Sequence, residues 1–340
     1  MRFSRLLATA LLTAVPWWPL HAQEVVERDL CVFDIIGSSG DVYNMMRDYR
    51  AAAREWGVDL NLRAYTDEAV AFEELTGDQC DAAVLTGVRG RALNNYTGSL
   101  DSVGAVPDYD MLRTVARVLA SEEEEVIERL SDETYEVMGV APMGAAYLFV
   151  KDQEINHVND LAGKSIAVME YDEAQGRMAA QVGMSPVMSD ITNFAGRFNN
   201  HSVDICFAPV AAYTALELYR GLTEDGGVID YTLGQLTAQM YARHDRFPEG
   251  FGEKSRQYWY SELFDQAMEV IEAGYEEVPE ERWVEIPDED RRAYDEMMRE
   301  ARIGMRDDGI YDGHMLELLF NIRCRMEPGR AECAEDTERM

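Results

Sequence analysis

The chain has 340 residues, five cysteines and a formal net charge of −33. So negative a molecule repels the phosphate backbone of nucleic acids and anionic membrane surfaces, and we therefore exclude nucleic-acid partners. We interpret the acidity as a solubility feature. Nearly all of the positive charge is arginine, the side chain best suited to binding an anion in a cleft. The length suits two domains of ordinary size.

The first 22 residues have the pattern of a secretory signal peptide. Arg2 and Arg5 precede an apolar run at residues 6–15 that is too short to span a bilayer, and Ala22 follows as a small residue. We therefore expect residues 1–22 to be removed after about Ala22 and the mature chain to be periplasmic. A retained membrane anchor is the alternative.

Residues 31–85 alternate between strand and helix patterns. Residues 31–36 form a β-branched apolar run, and residues 41–56 have apolar positions at helical spacing. Residues 58–64 alternate strictly, Asp67 can cap a helix that reaches residue 75, and residues 80–85 form another strand. This order predicts a parallel sheet with right-handed crossovers.

A long β-prone stretch at residues 136–150 has the length of a strand that passes between domains. A second α/β cycle follows, with strands predicted at 165–169 and 203–207 and helices at 173–182 and 210–219. Residues 228–241 are again β-prone, and helices are predicted at 249–273, 288–305 and 313–325.

The predicted fold class is therefore α/β, with two lobes, mixed and mostly parallel sheets, and crossing hinge strands. We expect lobe I to comprise residues 23–138 plus 240–340, including the C-terminal helices, and lobe II to comprise residues 139–239. Ligands in such folds bind outside the carboxyl ends of the strands. The loops after the strands are therefore the predicted site.

Two of these loops belong to the first lobe. Ser38 and Ser39 lie in a glycine-bounded turn that opens a helix, where backbone N–H groups favour an anion; the alternative is an ordinary turn capped by Asp41 or Ser39. Arg89 and Arg91 follow the third strand and can present guanidinium groups to a carboxylate. A solvated basic loop is the alternative.

In the second lobe, Tyr171 follows the first strand and can stack on a ligand or hydrogen-bond to it. Arg177 lies further along, where a surface ion pair with Asp172 or Glu173 is an equal alternative to ligand binding.

Four further ligand-binding residues are predicted, two at a strand end and two on the crossing strands. Pro209 and Tyr213 lie at a strand end and in the helix after it, although a proline at a helix start is also a common structural feature. Tyr147 and Gln239 lie on the crossing strands, where hinge and ligand contacts meet.

Catalytic and metal-binding patterns are weak. The five histidines are isolated, and no nucleophile elbow, EF-hand loop or two-histidine metal spacing occurs in the sequence. We therefore predict a binding protein with no cofactor and no metal, rather than an enzyme.

The cysteine positions predict two disulfides. Cys31 and Cys80 lie on the first and third strands, which are neighbours in the doubly wound order 2-1-3 and close enough to be bridged. Cys324 and Cys333 are close in sequence and can close a terminal loop. Cys206 is left as a buried thiol.

Three segments resemble the periplasmic solute-binding proteins of tripartite ATP-independent (TRAP) transporters. They are residues 75–85 (LTGDQCDAAVL), 159–168 (NDLAGKSIAV) and 201–209 (HSVDICFAP), which are similar to family motifs in order and spacing. The resemblance covers roughly residues 24–325. It implies a Venus-flytrap fold that closes on a small ligand, often an organic acid.

One departure weakens the expected ligand class. The family places an arginine in the strand after the G-K motif, where this chain has Ala167, and Met169 replaces the proline that follows. The expected function is binding of a small solute, anionic if another arginine replaces the clamp, by a monomer that delivers it to a membrane transporter subunit. The alternative is an accessory or sensor protein that keeps this fold and acts through a protein partner.

Overall fold

The computed structural model describes residues 25–335 and 337–338. The predicted signal peptide at residues 1–22 lies outside them. Among the described residues, no helix combines the length and apolarity needed to cross a membrane.

The described strands form one mixed sheet. Its order is β2-β1-β3-β9-β4-β7-β5-β6, with β8 paired to β4 and β10 paired to β8. The strands are β1 Val26–Phe33, β2 Val58–Tyr65, β3 Ala82–Thr86, β4 Tyr135–Val150, β5 Ser165–Met169, β6 Ser185–Ser189, β7 Ile205–Pro209, β8 Gly227–Ile229, β9 Gly234–Arg243 and β10 Trp283–Val284.

Helices cover both faces of this sheet. A π-helical turn at Trp259–Leu263 joins α10 to α11, which together correspond to the single helix predicted at 249–273. The helices are α1 Asp41–Glu55, α2 Glu68–Thr76, α3 Gly87–Gly90, α4 Asn95–Gly98, α5 Tyr109–Leu119, α6 Glu124–Leu130, α7 Glu173–Gln181, α8 Phe194–Asn199, α9 Ala212–Ala215, α10 Phe251–Tyr258, α11 Phe264–Glu277, α12 Asp288–Asp307 and α13 Gly313–Met326.

The strand β1 illustrates why these residues form a buried strand. Leu30 and Val32 belong to one apolar cluster, whereas Cys31 and Phe33 belong to another. A strand covered on both faces must be apolar on both, which explains the continuous apolar run in place of strict alternation.

Two long strands join the halves of the sheet. In its first part β4 pairs with β9, which also pairs with β3, and from Ala146 onward β4 pairs with β7. A register shift between Pro142 and Gly144 accompanies this change, and Gly144 has φ +113°, a conformation that glycine adopts readily. The predicted crossing strands and two-lobed α/β fold are therefore confirmed.

The C-terminal helices contact both halves of the sheet. The helix α13 packs on α5, α12 packs on α7, and β10 pairs with β8. The lobe limits at residues 138/139 and 239/240 remain a prediction.

Three local predictions need correction. The helix predicted at 210–219 is only α9, because Glu217 adopts a left-handed φ of +54°. The loop after β3 forms the helical turn α3. The strand β6 was not predicted, since it is a mostly exposed edge strand that contains Pro186, and proline is tolerated in strands mainly at edges.

The disulfides match the predicted pairs. Cys31 is joined to Cys80, and Cys324 is joined to Cys333, while Cys206 is a buried free thiol. The adjacency of β1 and β3, with Cys31 opposite Ala83, brings the first pair together. Cys31 lies near the end of β1 rather than at its start.

A buried ion network fixes the C-terminal segment. Glu338 accepts from Arg302 at 2.6 Å and from Arg323 at 2.7 Å, and Arg323 also donates to Glu332 at 3.0 Å. The same two arginines donate to the carbonyl oxygens of Val103 and Ala105. The network therefore supports the segment that follows Asp101, a residue of the site described next.

Candidate functional site

Side chains from the ends of β3 and β5 meet where the two halves of the sheet face each other. We call this group the interlobe cluster; its members are Glu68, Arg89, Arg91, Asp101, Tyr171 and Asp172. Arg89 lies on α3, directly after β3, and Tyr171 follows β5. The guanidinium carbon of Arg89 is 3.4 Å from the centroid of the Tyr171 ring. This is a cation–π contact between residues of opposite halves.

Glu68, the first residue of α2, contacts both members of this pair. Its side chain is fully buried, and its carboxylate accepts from the backbone N–H of Thr86 at 2.7 Å and from the Tyr171 hydroxyl at 3.1 Å. The Nε of Arg89 is 3.7 Å from the same carboxylate. Burial raises the pKa of the Glu68 carboxyl, against the lowering effect of these hydrogen bonds and of the Arg89 charge.

Arg91 and Asp172 form the second contact between the halves. Nη1 of Arg91 donates to Oδ1 of Asp172 at 2.9 Å, and the two side chains are only 12% and 4% exposed. Asp172 also caps α7 by accepting from the backbone N–H of Ala174 at 3.1 Å. Burial lowers the pKa of Arg91, but the charges of Asp172, Tyr311 and Asp101 and the hydrogen bond to Asp172 together outweigh it, so the pKa is raised and Arg91 stays charged.

Asp101 is part of a buried hydrogen-bonded chain that leads into β9. Its carboxylate accepts from the hydroxyl of Thr237 at 2.6 Å and from the backbone N–H of Thr237 at 3.1 Å. Burial raises the pKa of Asp101 to about 7, although the bonds from Thr237 oppose this change. The amide of Gln239 donates to Thr237 and to the carbonyl of Thr97, and accepts from Tyr241. Gln239 is therefore engaged in positioning the cluster.

Gly87 allows α3 to approach this chain closely. A Cβ atom at this position would lie 2.6 Å from Nε2 of Gln239, 2.7 Å from Oγ1 of Thr237 and 2.8 Å from Oδ1 of Asp101. These distances are shorter than van der Waals contact. Only glycine at this position lets the turn that bears Arg89 pack against the chain undisturbed.

Two buried polar side chains near Asp101 have no hydrogen-bond partner among the described residues. Gln235 is 1% exposed and Ser102 is fully buried. Gln235 lies two positions before Thr237, on the same face of β9, and Ser102 directly follows Asp101. Buried polar groups are normally paired, so these two are candidates for contact with a bound molecule.

The predicted serines are placed in a different environment. Ser38 and Ser39 are exposed on a 3₁₀ turn before α1. The start of α1 is capped by the buried Asp34, whose carboxylate accepts from the backbone N–H groups of Ile36 and Tyr43 at 2.9 and 3.1 Å. The predicted caps Asp41 and Ser39 are therefore wrong, and the chain's own carboxylate occupies the helix end expected to bind an anion.

Arg177 is on the surface. It is paired with Glu173 and Asp308, which confirms the surface ion pair with Glu173. Asp172, the other predicted partner of Arg177, is paired with Arg91 instead.

The remaining predicted residues lie apart from the interlobe contacts. The hydroxyl of Tyr147 is 2.5 Å from that of Tyr275, and its ring packs edge-on against Trp283. Pro209 ends β7, and the ring of Tyr213 contacts that of Tyr219. None of these described side chains contacts a member of the interlobe cluster through a hydrogen bond, ion pair or ring contact.

A concave surface lies between α5 and α11. It is a groove of about 360 Å³, and its lining includes Tyr109, Arg113, Phe264, Met268 and Glu272. It provides an alternative location for a ligand.

One set of described residues has the donor types of a metal site. Ligand atoms of Cys31, Glu74 and Cys80 all lie within 4.8 Å of one another. The two sulfurs are joined in a disulfide, whereas metals bind the thiolate, so this set does not fit a metal in the oxidised protein.

The sequence predicted Arg89, Arg91 and Tyr171 but missed the three carboxylates that contact them. Glu68, Asp101 and Asp172 are three among 64 acidic residues, so composition does not single them out. The sequence did place Glu68 in the first turn of α2 and Asp172 at the cap of α7. An acidic residue at a helix start indicates capping as readily as a ligand site.

A continuous α/β sheet with two crossing strands and a polar cluster between its halves is typical of two-lobed solute-binding proteins. The chain belongs to the family described as "Solute-binding protein AdeT 1/2", whose model matches residues 45–338. This is a family of solute-binding proteins rather than enzymes, as predicted.

Two relatives from Acinetobacter baumannii are similar over most of their length. The chain is 41% identical over 307 residues to "Probable solute-binding protein AdeT1", covering 90% of this chain and 100% of the relative. It is 26% identical over 236 residues to "Probable solute-binding protein AdeT2", covering 69% of this chain and 98% of the relative.

Solved structures of TRAP periplasmic solute-binding proteins share the fold at low identity. The protein from Desulfovibrio salexigens with bound orotic acid matches with a TM-score of 0.73 at 12% identity, over 88% of this chain and 99% of that one. The protein from Sulfitobacter sp. with bound β-D-galacturonate matches with a TM-score of 0.69 at 13% identity, over 87% of this chain and 99% of that one. The protein from Shewanella oneidensis with bound succinate matches with a TM-score of 0.70 at 11% identity, over 88% of this chain and 99% of that one. The predicted resemblance to this class is confirmed, as a distant one.

Proposed function

We propose that this chain is a periplasmic, monomeric protein that binds a small solute between its two lobes and delivers it to a membrane transporter. The observation that supports this most directly is the contact between Arg91, after β3, and Asp172, after β5, at 2.9 Å. It joins the loops at the carboxyl ends of strands in opposite halves, which is where α/β proteins bind ligands.

The arrangement is suited to closure around a solute. Arg89 and Tyr171 face each other across the same boundary, and the crossing strands β4 and β9 change partners nearby. Closure by rotation about a few hinge residues would bring these loops onto a solute and exclude water from it. The catalytic alternative has no support from this cluster, which contains no nucleophile beside a general base.

The charge of the solute can be considered from the ligands of similar structures and from the two arginines at the site. Orotic acid, galacturonate and succinate, the ligands in the three similar structures, are carboxylic acids or their anions. Small carboxylic acids and their uncharged analogues are therefore the first solutes to test here, because Arg89 and Arg91 lie at the site but already face carboxyl groups of the chain itself.

A thermal-shift screen of a broad metabolite library tests this proposal. A solute at 100 times its Kd stabilises the native state by about 2.7 kcal/mol, so at least one solute should raise the Tm by several degrees. Gly87→Leu, which fills the cluster, should abolish the shift, whereas Arg113→Ala in the groove between α5 and α11 should retain it. If no solute shifts the wild-type protein, the proposal fails and the accessory or sensor role becomes the better account.

A further inference from the structure

We infer that the interlobe site takes an uncharged polar solute, because Asp172 pairs with Arg91 and Glu68 lies against Arg89, the two arginines that would otherwise bind a carboxylate. The inference rests on the proposed function and names the ligand class of the same site.

The cluster has more carboxylates than arginines. Asp172 pairs with Arg91 at 2.9 Å, and Arg89 lies between the Tyr171 ring and Glu68, so each guanidinium already has a partner in the protein. A carboxylate ligand would have to displace Asp172 from Arg91, leaving a buried carboxylate without its partner. Leaving one member of a buried ion pair unpaired is strongly unfavourable.

Asp172 and Glu68 are also fixed in place by other hydrogen bonds. Asp172 caps α7 through the backbone N–H of Ala174, at 3.1 Å. Glu68 accepts from the backbone N–H of Thr86 and from Tyr171. Neither carboxyl group can turn away from its arginine without losing a second partner, so both stay beside the two guanidinium groups.

The unpaired side chains beside the cluster, Gln235 and Ser102, are neutral, while within the cluster the Nε of Arg89 also lacks a hydrogen-bond acceptor among the described residues. Gln235 offers both an amide donor and a carbonyl acceptor, and Ser102 offers a hydroxyl that can do either. Both are buried and have no hydrogen-bond partner among the described residues. Such groups complement hydroxyls or amides of a ligand without adding charge to the site.

Matched ligand pairs test the inference by titration calorimetry. We would compare galacturonate with galactose, orotate with uracil, and succinate with succinamide on wild type and on Asp172→Asn. Asparagine is as good a helix cap as aspartate, so the variant removes the charge and keeps the cap. Asp308→Asn, which removes a surface ion pair with Arg177, is the matched control.

The wild type should bind no carboxylate member more tightly than its neutral partner. Asp172→Asn should bind at least one carboxylate member tenfold or more tightly than wild type does, and Asp308→Asn should behave as wild type. Preference of the wild type for a carboxylate member would overturn the inference while supporting solute binding itself. An Asp172→Asn protein that gains no affinity for carboxylates would also overturn it; if that variant does not fold, Asp172→Ser, which also caps a helix, replaces it.

Discussion

The guanidinium carbon of Arg89 lies 3.4 Å from the centroid of the Tyr171 ring, and the Tyr171 hydroxyl donates to Glu68 at 3.1 Å. One tyrosine therefore connects a cation and a carboxylate that belong to the opposite half of the sheet. A desolvated cation–π contact contributes about 2 kcal/mol, and a hydrogen bond to a charged group about 1.5–3 kcal/mol.

Replacement of Tyr171 separates these two contributions. Tyr171→Phe should lower the free energy of unfolding by about 1–3 kcal/mol, because it removes only the hydrogen bond to Glu68. Tyr171→Leu should cost about 1–2 kcal/mol more, since the ring is lost as well. Urea denaturation measures both, and Tyr219→Phe, at an exposed ring, is the control. Equal values for Phe and Leu would show that the ring contact contributes nothing.

Gly87→Ala should destabilise the protein by about 1–3 kcal/mol, the usual cost of overpacking. Its Cβ would lie within 2.8 Å of three buried polar atoms, on Gln239, Thr237 and Asp101. Gly304→Ala, in the exposed interior of α12 with no atom within 4 Å of the added Cβ, should instead stabilise by about 1 kcal/mol through helix propensity. Thermal unfolding compares them, and a neutral Gly87→Ala would mean that α3 can move away from β9.

Asp101 should make stability depend on pH. Because burial raises its pKa to about 7 in the folded protein, the folded state binds this proton more tightly than the unfolded state does. Its contribution to stability is present at acidic pH and is lost as the pH rises towards 7 and above. Between pH 5 and 7 this carboxyl should contribute a slope of up to about −1.4 kcal/mol per pH unit to the free energy of unfolding.

Asp101→Asn should remove that contribution. The variant also loses an acceptor for Thr237, which shifts its free energy of unfolding at every pH. The pH dependence of the free energy of unfolding, rather than its absolute value, is therefore compared with that of the wild type by urea denaturation. Asp110→Asn, at an exposed carboxylate, is the control and should keep the wild-type slope. An unchanged slope in Asp101→Asn would contradict the raised pKa.

Glu338→Ala should lower the free energy of unfolding by about 3–5 kcal/mol, because it leaves Arg302 and Arg323 buried without their shared carboxylate. Glu335→Ala, which removes an exposed partner of Arg299, should cost no more than about 1 kcal/mol. Guanidinium denaturation at neutral pH compares the two. Similar values would show that the C-terminal network is not a buried one in solution.

The fold was largely predictable because its strands and helices have strong periodic patterns. The long β-prone stretch identified β4 as a crossing strand, and the order 2-1-3 placed Cys31 beside Cys80. Features set by tertiary contact were missed: β6 is a strand because it pairs with β5 at an edge, although Pro186 and its exposed residues disfavour the assignment.

The site was only partly predictable, for a physical reason. The rule that ligands bind at strand ends located Arg89, Arg91 and Tyr171, which do meet. The rule does not say which carboxylate an arginine contacts, and Glu68 and Asp172 are separated from their arginines by 21 and 81 residues along the chain. The Arg91–Asp172 pair depends on contact between the two halves, and the Arg89–Glu68 pair depends on the packing of α2 against α3 within one half.

Hydrogen exchange with and without the solute that gives the largest thermal shift tests the central claim, that a solute binds between the lobes. We expect slower exchange at residues 86–91 and at residues 169–175 together, since both loops line one site. Protection confined to one of these segments, or to α5 and α11 around the groove near Phe264, would contradict it.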